Sequence, residues 1–156
     1  MTGKLTNSSA FVREVHCEGL IEYSIFVRKN DNSPLFLFPS WLMCLVGNAL
    51  CASERFRQAA GAPSAEYGLE LEIQNTGGEL PIAMYGGRDP FGRRLGPLPA
   101  GDIVFPRYSV GAPEEFVRLS ILLERDFWHA AGHDFKELLV VDFDGALREL
   151  AGGRAA

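Results

Sequence analysis

Histidine and cysteine are scarce in this chain, three of each in 156 residues, and lysine is outnumbered by arginine four to one. Each shortage removes a class of chemistry. The cysteines, Cys17, Cys44 and Cys51, are odd in number and lack the spacing of a disulfide framework. Cys44 and Cys51 fall seven apart on a predicted helix, which puts their Cα atoms about 10 Å apart, whereas a bridge needs less than about 7 Å. Reduced thiols in a cytosolic protein are the simplest reading. No Gly-x-Ser-x-Gly elbow and no Walker-type glycine loop occurs, so two common signatures of acyl and phosphoryl transfer are missing.

Long hydrophobic runs are missing too. The nearest approach, residues 35–52 (LFLFPSWLMCLVGNALCA), is interrupted by Pro39, Ser40, Gly47 and Asn48 and is followed by Glu54, Arg55 and Arg57. A membrane span needs about 20 predominantly apolar residues, and proline ends one element and begins the next. The stretch reads as a strand followed by a core helix. MTGKLTNSSA has no apolar signal-peptide core, so a cytoplasmic protein without membrane contact is expected. The net charge of −5 does not suit a surface built for nucleic acid or anionic lipid, which needs a basic patch.

What is present suits a globular domain. A hydrophobic fraction of 47% against 22% charged residues is enough to build a core and excludes wholesale disorder. After a flexible tail (1–10), residues 11–17 and 20–28 read as paired strands joined at Glu18-Gly19. Ile21, Tyr23, Ile25 and Val27 share one face of the second strand. Residues 35–38 make a short third strand. A helix follows from an N-cap at Ser40 to Ala60 and stops at Gly61.

The pattern then repeats. Tyr67, Leu69, Leu71 and Ile73 alternate with Glu66, Gly68, Glu70, Glu72 and Gln74 as a half-buried strand. Residues 80–85 and 103–110 are further strands, with Pro106 marking an edge or an end. Pro113 and two glutamates open a second helix whose inner stripe is Phe116, Leu119, Ser120, Leu123, Phe127 and Ala130. A last strand (138–143) precedes a short helical tail and a flexible end (151–156). The order βββα-βββα-β and the hairpin-length connections predict one α+β domain over 11–150, with a mostly antiparallel sheet of about six or seven strands and two main helices.

Five constellations bear on function. In WHAAGH, His129 and His133 stand four apart, as two ligands on one helical face would. Gly132, however, is where the helix should stop, and Ala130 replaces the glutamate of a zincin motif. The segment LLVVDFDGAL (138–147) resembles the nucleophile motif of haloacid-dehalogenase-type phosphatases, which implies a nucleophilic Asp142 and an acid/base Asp144. It departs from that family at Ala146, which stands in place of a threonine, and only twelve residues follow Asp144 to carry the family's later lysine and magnesium ligands. A strand closing on an Asp-Gly turn accounts for it. Glu66, Glu70 and Glu72 form a wet strand face. His16 and Cys17, as neighbours on a strand, belong to opposite faces.

The fifth is GGRDPFGRRLGPLPAGD (86–102), with five glycines, three prolines and three arginines. Read as a long loop, it gathers Arg88, Arg93 and Arg94, with Arg107 on the following strand, into a candidate anion site, because guanidinium forks match carboxylate and phosphate. The leading expectation is a non-catalytic interaction or accessory domain of a cytosolic bacterial protein, acting on a protein partner or by self-association as a homo-oligomer, with no cofactor and no metal. The alternative is an anion-binding or enzymatic domain that uses the arginine-rich loop for an anionic small molecule.

Overall fold

In a computed structural model, the described residues are 8–15, 20–28, 35–76, 78–86, 89–134 and 145. They form eight strands and two long helices: β1 (Ser8–Val15), β2 (Ile21–Arg28), α1 (Pro39–Ala59), β3 (Tyr67–Leu69), β4 (Glu72–Asn75), β5 (Leu80–Gly86), β6 (Asp89–Leu98), β7 (Gly101–Val104), β8 (Tyr108–Val110) and α2 (Phe116–Ala130). The α+β class, the antiparallel pairing and the two helices match the reading from sequence. The expected single sheet does not form among these residues: the strands pair two by two, β1 with β2, β3 with β8, β4 with β7 and β5 with β6.

The last three pairs follow one another along a single hairpin that is bent where its two arms fall out of step. Between β3–β8 and β4–β7 the register moves from Leu69↔Tyr108 to Glu72↔Val104. Phe105 N–H still reaches the Leu71 carbonyl at 3.0 Å, so Pro106 and Arg107 together oppose Glu70. Two residues facing one is a β-bulge, and Pro106, which has no N–H to give a ladder, is tolerated at such a position. Farther out, Pro81 pairs with Pro97 but Ile82 pairs with Leu95, and Gly96 is the extra residue. Between these two bulges lies the junction where Asn75 pairs with Gly101 and Leu80 with Leu98. There the Asn75 side-chain amide donates to the Gly78 carbonyl at 2.5 Å and the Pro99 carbonyl at 3.3 Å, tying the two arms together.

Several expectations are corrected by this arrangement. The stretch 86–102 is not a loop, because most of it is β6, the returning arm of the hairpin. The strand expected over 103–110 is split at the Pro106 bulge. Residues 35–38 contribute only a parallel bridge, Leu37 to Ile82, with Leu37 N–H donating to Pro81 O and Ala83 N–H donating to Leu37 O, both at 2.9 Å. β1 begins at Ser8, inside the stretch expected to be tail. Pro39 rather than Ser40 opens α1: it occupies the first helical position after Phe38, and no side chain caps the turn. Proline suits that position because its missing N–H would have no helical partner there. The strand expected over 138–143 and the 151–156 tail lie outside the described residues.

Both helices end as the glycines predict, and by the same hydrogen-bond pattern. Gly61 (φ +66°) and Gly132 (φ +74°) take the left-handed conformation. Gly61 N–H donates to Gln58 O and Ala62 N–H to Arg57 O. Likewise Gly132 N–H donates to His129 O and His133 N–H to Trp128 O. This is the Schellman motif at both ends.

The helices run antiparallel, and the core between them and the hairpin has two parts. Val46, Leu50 and Cys51 of α1 meet Val110 and Phe116, Leu119 and Leu123 of α2. At the other end Leu42 meets Ile82, Leu98, Phe105, Phe127, Trp128 and Ala131. Leu71 and Tyr108, which flank the Pro106 bulge, pack against both, so the bend lets one ribbon serve the whole length of the helix pair. Ala131, just past the helix, is buried where Ala130 was expected, and Trp128 and Glu124 join the inner face. No helix among the described residues is long and apolar enough to cross a membrane.

Candidate functional site

The histidine pair is separated by the glycine between its members. His129 lies exposed in the last turn of α2, near the negative end of the helix dipole. Beyond Gly132 the chain leaves the helix axis, and the His133 ring packs edge-on to Trp128, with centroids 6.2 Å apart and planes at 73°. It also covers the Gly96 bulge, where an added Cβ would come within 3.6 Å of the imidazole. Its Nε2 is buried with no hydrogen-bond partner. Among the described residues no three His, Cys, Asp or Glu side chains stand together as metal ligands would.

The four arginines do not share one setting. Arg88 is outside the described residues. Arg93 and Arg94 occupy consecutive positions of β6, paired in register with Met84 and Ala83, and consecutive positions belong to opposite faces of a ribbon. Arg107 lies at the other bulge, beyond the Asn75 junction. Its guanidinium lies across Gly68, so closely that a Cβ there would come within 2.5 Å of it, and it faces Glu70 at 3.6 Å with both side chains about three-quarters exposed. Gly68 thus leaves room for the arginine to cross the strand and reach a carboxylate.

The carboxylate row is the wet face anticipated. Burial alternates without a break from Glu66 to Asn75, glutamates outward. Each glutamate has a different neighbour: Glu66 accepts from Ser109 Oγ at 3.0 Å, Glu70 faces Arg107, and Glu72 accepts from Gln74 Nε2 at 3.2 Å. Cys51 is buried in the core and its thiol pKa is raised by that burial, which disfavours the reactive thiolate. Cys44 is exposed, and both thiols are free. A hollow of about 80 Å³ lies where β2, α1 and β3 approach one another, with Tyr23, Ser53 and Tyr67 among its lining. Ser53 Oγ, meanwhile, donates to its own helix at Ala49 O.

Three polar arrangements escaped the sequence reading. Tyr108 O–H donates to Asp126 Oδ2 at 2.6 Å, joining the ribbon to α2, while Arg125 holds Oδ1 of the same carboxylate. Burial, and then the bond to Asp126, raises the Tyr108 pKa well above its ordinary value. On α1 a buried Glu54 pairs with buried Arg57 and accepts from Gln58 Nε2 at 2.8 Å. On α2 the Trp128 indole N–H donates to Glu124, which is 1% exposed, at 3.3 Å. The spacings i+3 and i+4 were legible in the last two cases, but charged residues on a helix usually mark its wet side.

Large apolar side chains are exposed at Leu20, Phe26, Phe56, Val104, Val117 and Ile121. Val117 and Ile121 are one turn apart on α2. Compared with protein-family models, curated proteins and solved structures, the chain matches none.

Proposed function

We propose that this domain works by binding another protein chain and carries no catalytic machinery of its own. The observation that supports the reading is the exposed apolar set, above all Val117 and Ile121, which are 56% and 41% exposed at neighbouring positions on one helix. Single exposed aliphatic residues are ordinary on protein surfaces, whereas neighbours on one face of a helix form a patch that a partner can cover. The test is affinity capture with the wild type and Ile121→Glu in parallel. A stoichiometric chain retained by the wild type and lost by the variant is expected. Identical capture profiles would remove the α2 face from consideration, and the loss of all specific capture by both would sink the interaction reading.

A second reading is anion binding through β6. What favours it is that Arg93 and Arg94 occupy consecutive positions of that strand, whereas Arg107 faces Glu70.

A further inference from the structure

The outward side of α2 has an order that suits a copy of itself. Glu114 in the 3₁₀ turn that leads into the helix, then Val117, Ile121 and Arg125, follow at spacings of three, four and four, and all four are exposed. Side chains at such intervals line one stripe of a helix. The stripe therefore begins with an acid, continues with two aliphatic residues and ends with a base. Laid antiparallel on a second copy about a two-fold axis between Val117 and Ile121, apolar meets apolar in the middle and acid meets base at each end. A two-fold interface requires this self-complementarity.

We propose that the domain pairs with a second copy of itself through this stripe, α2 against α2 antiparallel, with Glu114 of each copy opposite the partner's Arg125. The proposal rests on the interaction reading above and names its partner. Arg125 is ready for the role. Its Nε and one terminal nitrogen bond Asp126 Oδ1 at 3.2 and 3.1 Å, which fixes the guanidinium on the helix surface, while the side chain is 52% exposed and has further N–H groups to give. Asp126 is in turn held by Tyr108, so the base at the end of the stripe is anchored to the ribbon. The other exposed aliphatic and aromatic side chains, on β2, β7 and α1, play no part. A stripe of four residues on a helix of 15 is small beside a standard interface of about 800 Å² per partner, so the pairing is a weak, concentration-dependent one whose charged ends salt can screen.

Sedimentation of the purified full chain over a wide concentration range tests this. The wild type should pass from monomer to dimer as concentration rises, with association weakened roughly fivefold or more between 50 mM and 500 mM salt. Ile121→Glu should weaken it by about tenfold or more, and Val104→Glu, on the ribbon and more exposed at 73% against 41%, should not. The decisive arm uses charge reversal. Glu114→Arg alone and Arg125→Glu alone place like charges at both ends and should each be monomeric, while an equimolar mixture of the two should dimerise again. Thermal melts of each variant confirm that it is folded. A wild type that stays monomeric at every concentration, a dimer indifferent to Ile121→Glu, or two reversal variants that fail to rescue each other would each overturn the second-copy pairing. The capture experiment described earlier would still decide the broader reading.

Discussion

The helix pair and the hairpin are built on opposite economies of backbone. Each helix is a single unbroken run that stops on a glycine, and its inner side chains are almost wholly buried: Leu50, Leu123 and Phe127 are each 1% exposed. The hairpin is broken at the Pro106 and Gly96 bulges, at the Asn75 junction and again between Met84 and Gly86, and it keeps one face wet from Glu66 to Gln74. A helix can bury a stripe along its full length, whereas a bulge bends and twists the strand that carries it. Three of the ribbon's interruptions are marked by a residue suited to breaking a ladder: Pro106, Gly96, and Asn75 with its side-chain amide. The lesson is a division by backbone and not by burial: the interruptions belong to the hairpin, while both layers supply core, Ile82 and Leu98 of the hairpin being 0% exposed.

The strongest test of that division removes a core side chain from the helix layer. Phe127→Ala should cost about 3–5 kcal/mol, the range for deleting a buried aromatic ring, lowering the melting temperature by roughly 10 °C. Val104→Ala on the ribbon, where the side chain is 73% exposed, should change it by less than about 0.5 kcal/mol. Ile82→Ala, wholly buried on the hairpin, should cost about 2–5 kcal/mol, and a loss as small as that of Val104→Ala would show that the hairpin supplies no core.

Next in size is the buried ion pair of α1. Glu54→Ala leaves the Arg57 guanidinium buried and without its carboxylate, and breaking such a pair from one side costs about 3 kcal/mol. Replacing both with apolar residues, Glu54→Leu with Arg57→Met, should recover most of that loss, since the penalty comes from an uncompensated charge rather than from the missing attraction. Urea unfolding of the three proteins measures it. If the double variant is no better than Glu54→Ala, the pair contributes directly to stability.

Tyr108 is the joint between the two layers. Tyr108→Phe removes one hydrogen bond to a carboxylate, worth about 1.5 kcal/mol, without changing the packing of the ring. The pH dependence has a definite sign. The phenol pKa is raised in the folded chain, so the unfolded chain loses this proton first. The contribution is complete below the unfolded pKa of about 10 and is lost as pH rises beyond it. The gap in stability between wild type and Tyr108→Phe should therefore be constant from pH 6 to 9 and narrow above pH 10. A gap that widens with alkali would mean that the phenolate is favoured in the fold.

The same comparison explains what was legible in the sequence. Helix ends were readable because a glycine that must take positive φ is visible as a residue type: Gly61 and Gly132 stop their helices where expected, and the second divides His129 from His133. The alternation from Tyr67 to Ile73 was readable because one face of β3 and β4 is wet. The bulges were not readable in the same way. Pro106 was recognisable as a strand boundary, but the two-against-one pairing with Glu70 depends on a residue some 36 positions away. Residues 86–102 looked like a loop because glycine and proline are turn residues, whereas here Gly96 is the bulged residue of an arm whose backbone is held by β5. The set Arg88, Arg93, Arg94 and Arg107 was gathered on the expectation of a loop, whereas Arg93 and Arg94 stand on β6. Glu124 was hidden because a carboxylate that accepts an indole N–H four residues on looks, in sequence, like any solvated helix charge.

A smaller effect compares the two glycine stops. Gly132→Ala and Gly61→Ala place a Cβ at φ of +74° and +66°, and although no atom lies within 4 Å of the added carbon at either site, the left-handed conformation itself costs about 1–2 kcal/mol. The two losses should be equal if only the backbone matters. Gly132→Ala should cost the more if its strain displaces His133 from Trp128 and Gly96, and the Trp128 fluorescence would then shift with it.

The smallest expected effect concerns the arginines of β6. A phosphate held by one guanidinium gains charge-assisted hydrogen bonds of roughly 1.5–3 kcal/mol, but exposure and salt reduce this to below about 1 kcal/mol for a surface ion pair. Because Arg93 and Arg94 occupy consecutive strand positions, a compact anion should engage one of them and an extended polyanion is needed to reach both. The hairpin therefore predicts a weaker response to inorganic phosphate than to a polyphosphate, whereas a curled loop would gather both arginines around either ligand. In thermal shift, polyphosphate should raise the melting temperature of the wild type by no more than about 2–4 °C. The rise should saturate, vanish at high salt, and be lost in Arg93→Ala with Arg94→Ala. Arg107→Ala should leave it unchanged, since that guanidinium faces Glu70 at the Pro106 bulge, beyond the Asn75 junction from β6. The same shift in wild type and double variant would show that β6 is an arm of the hairpin and not a ligand site.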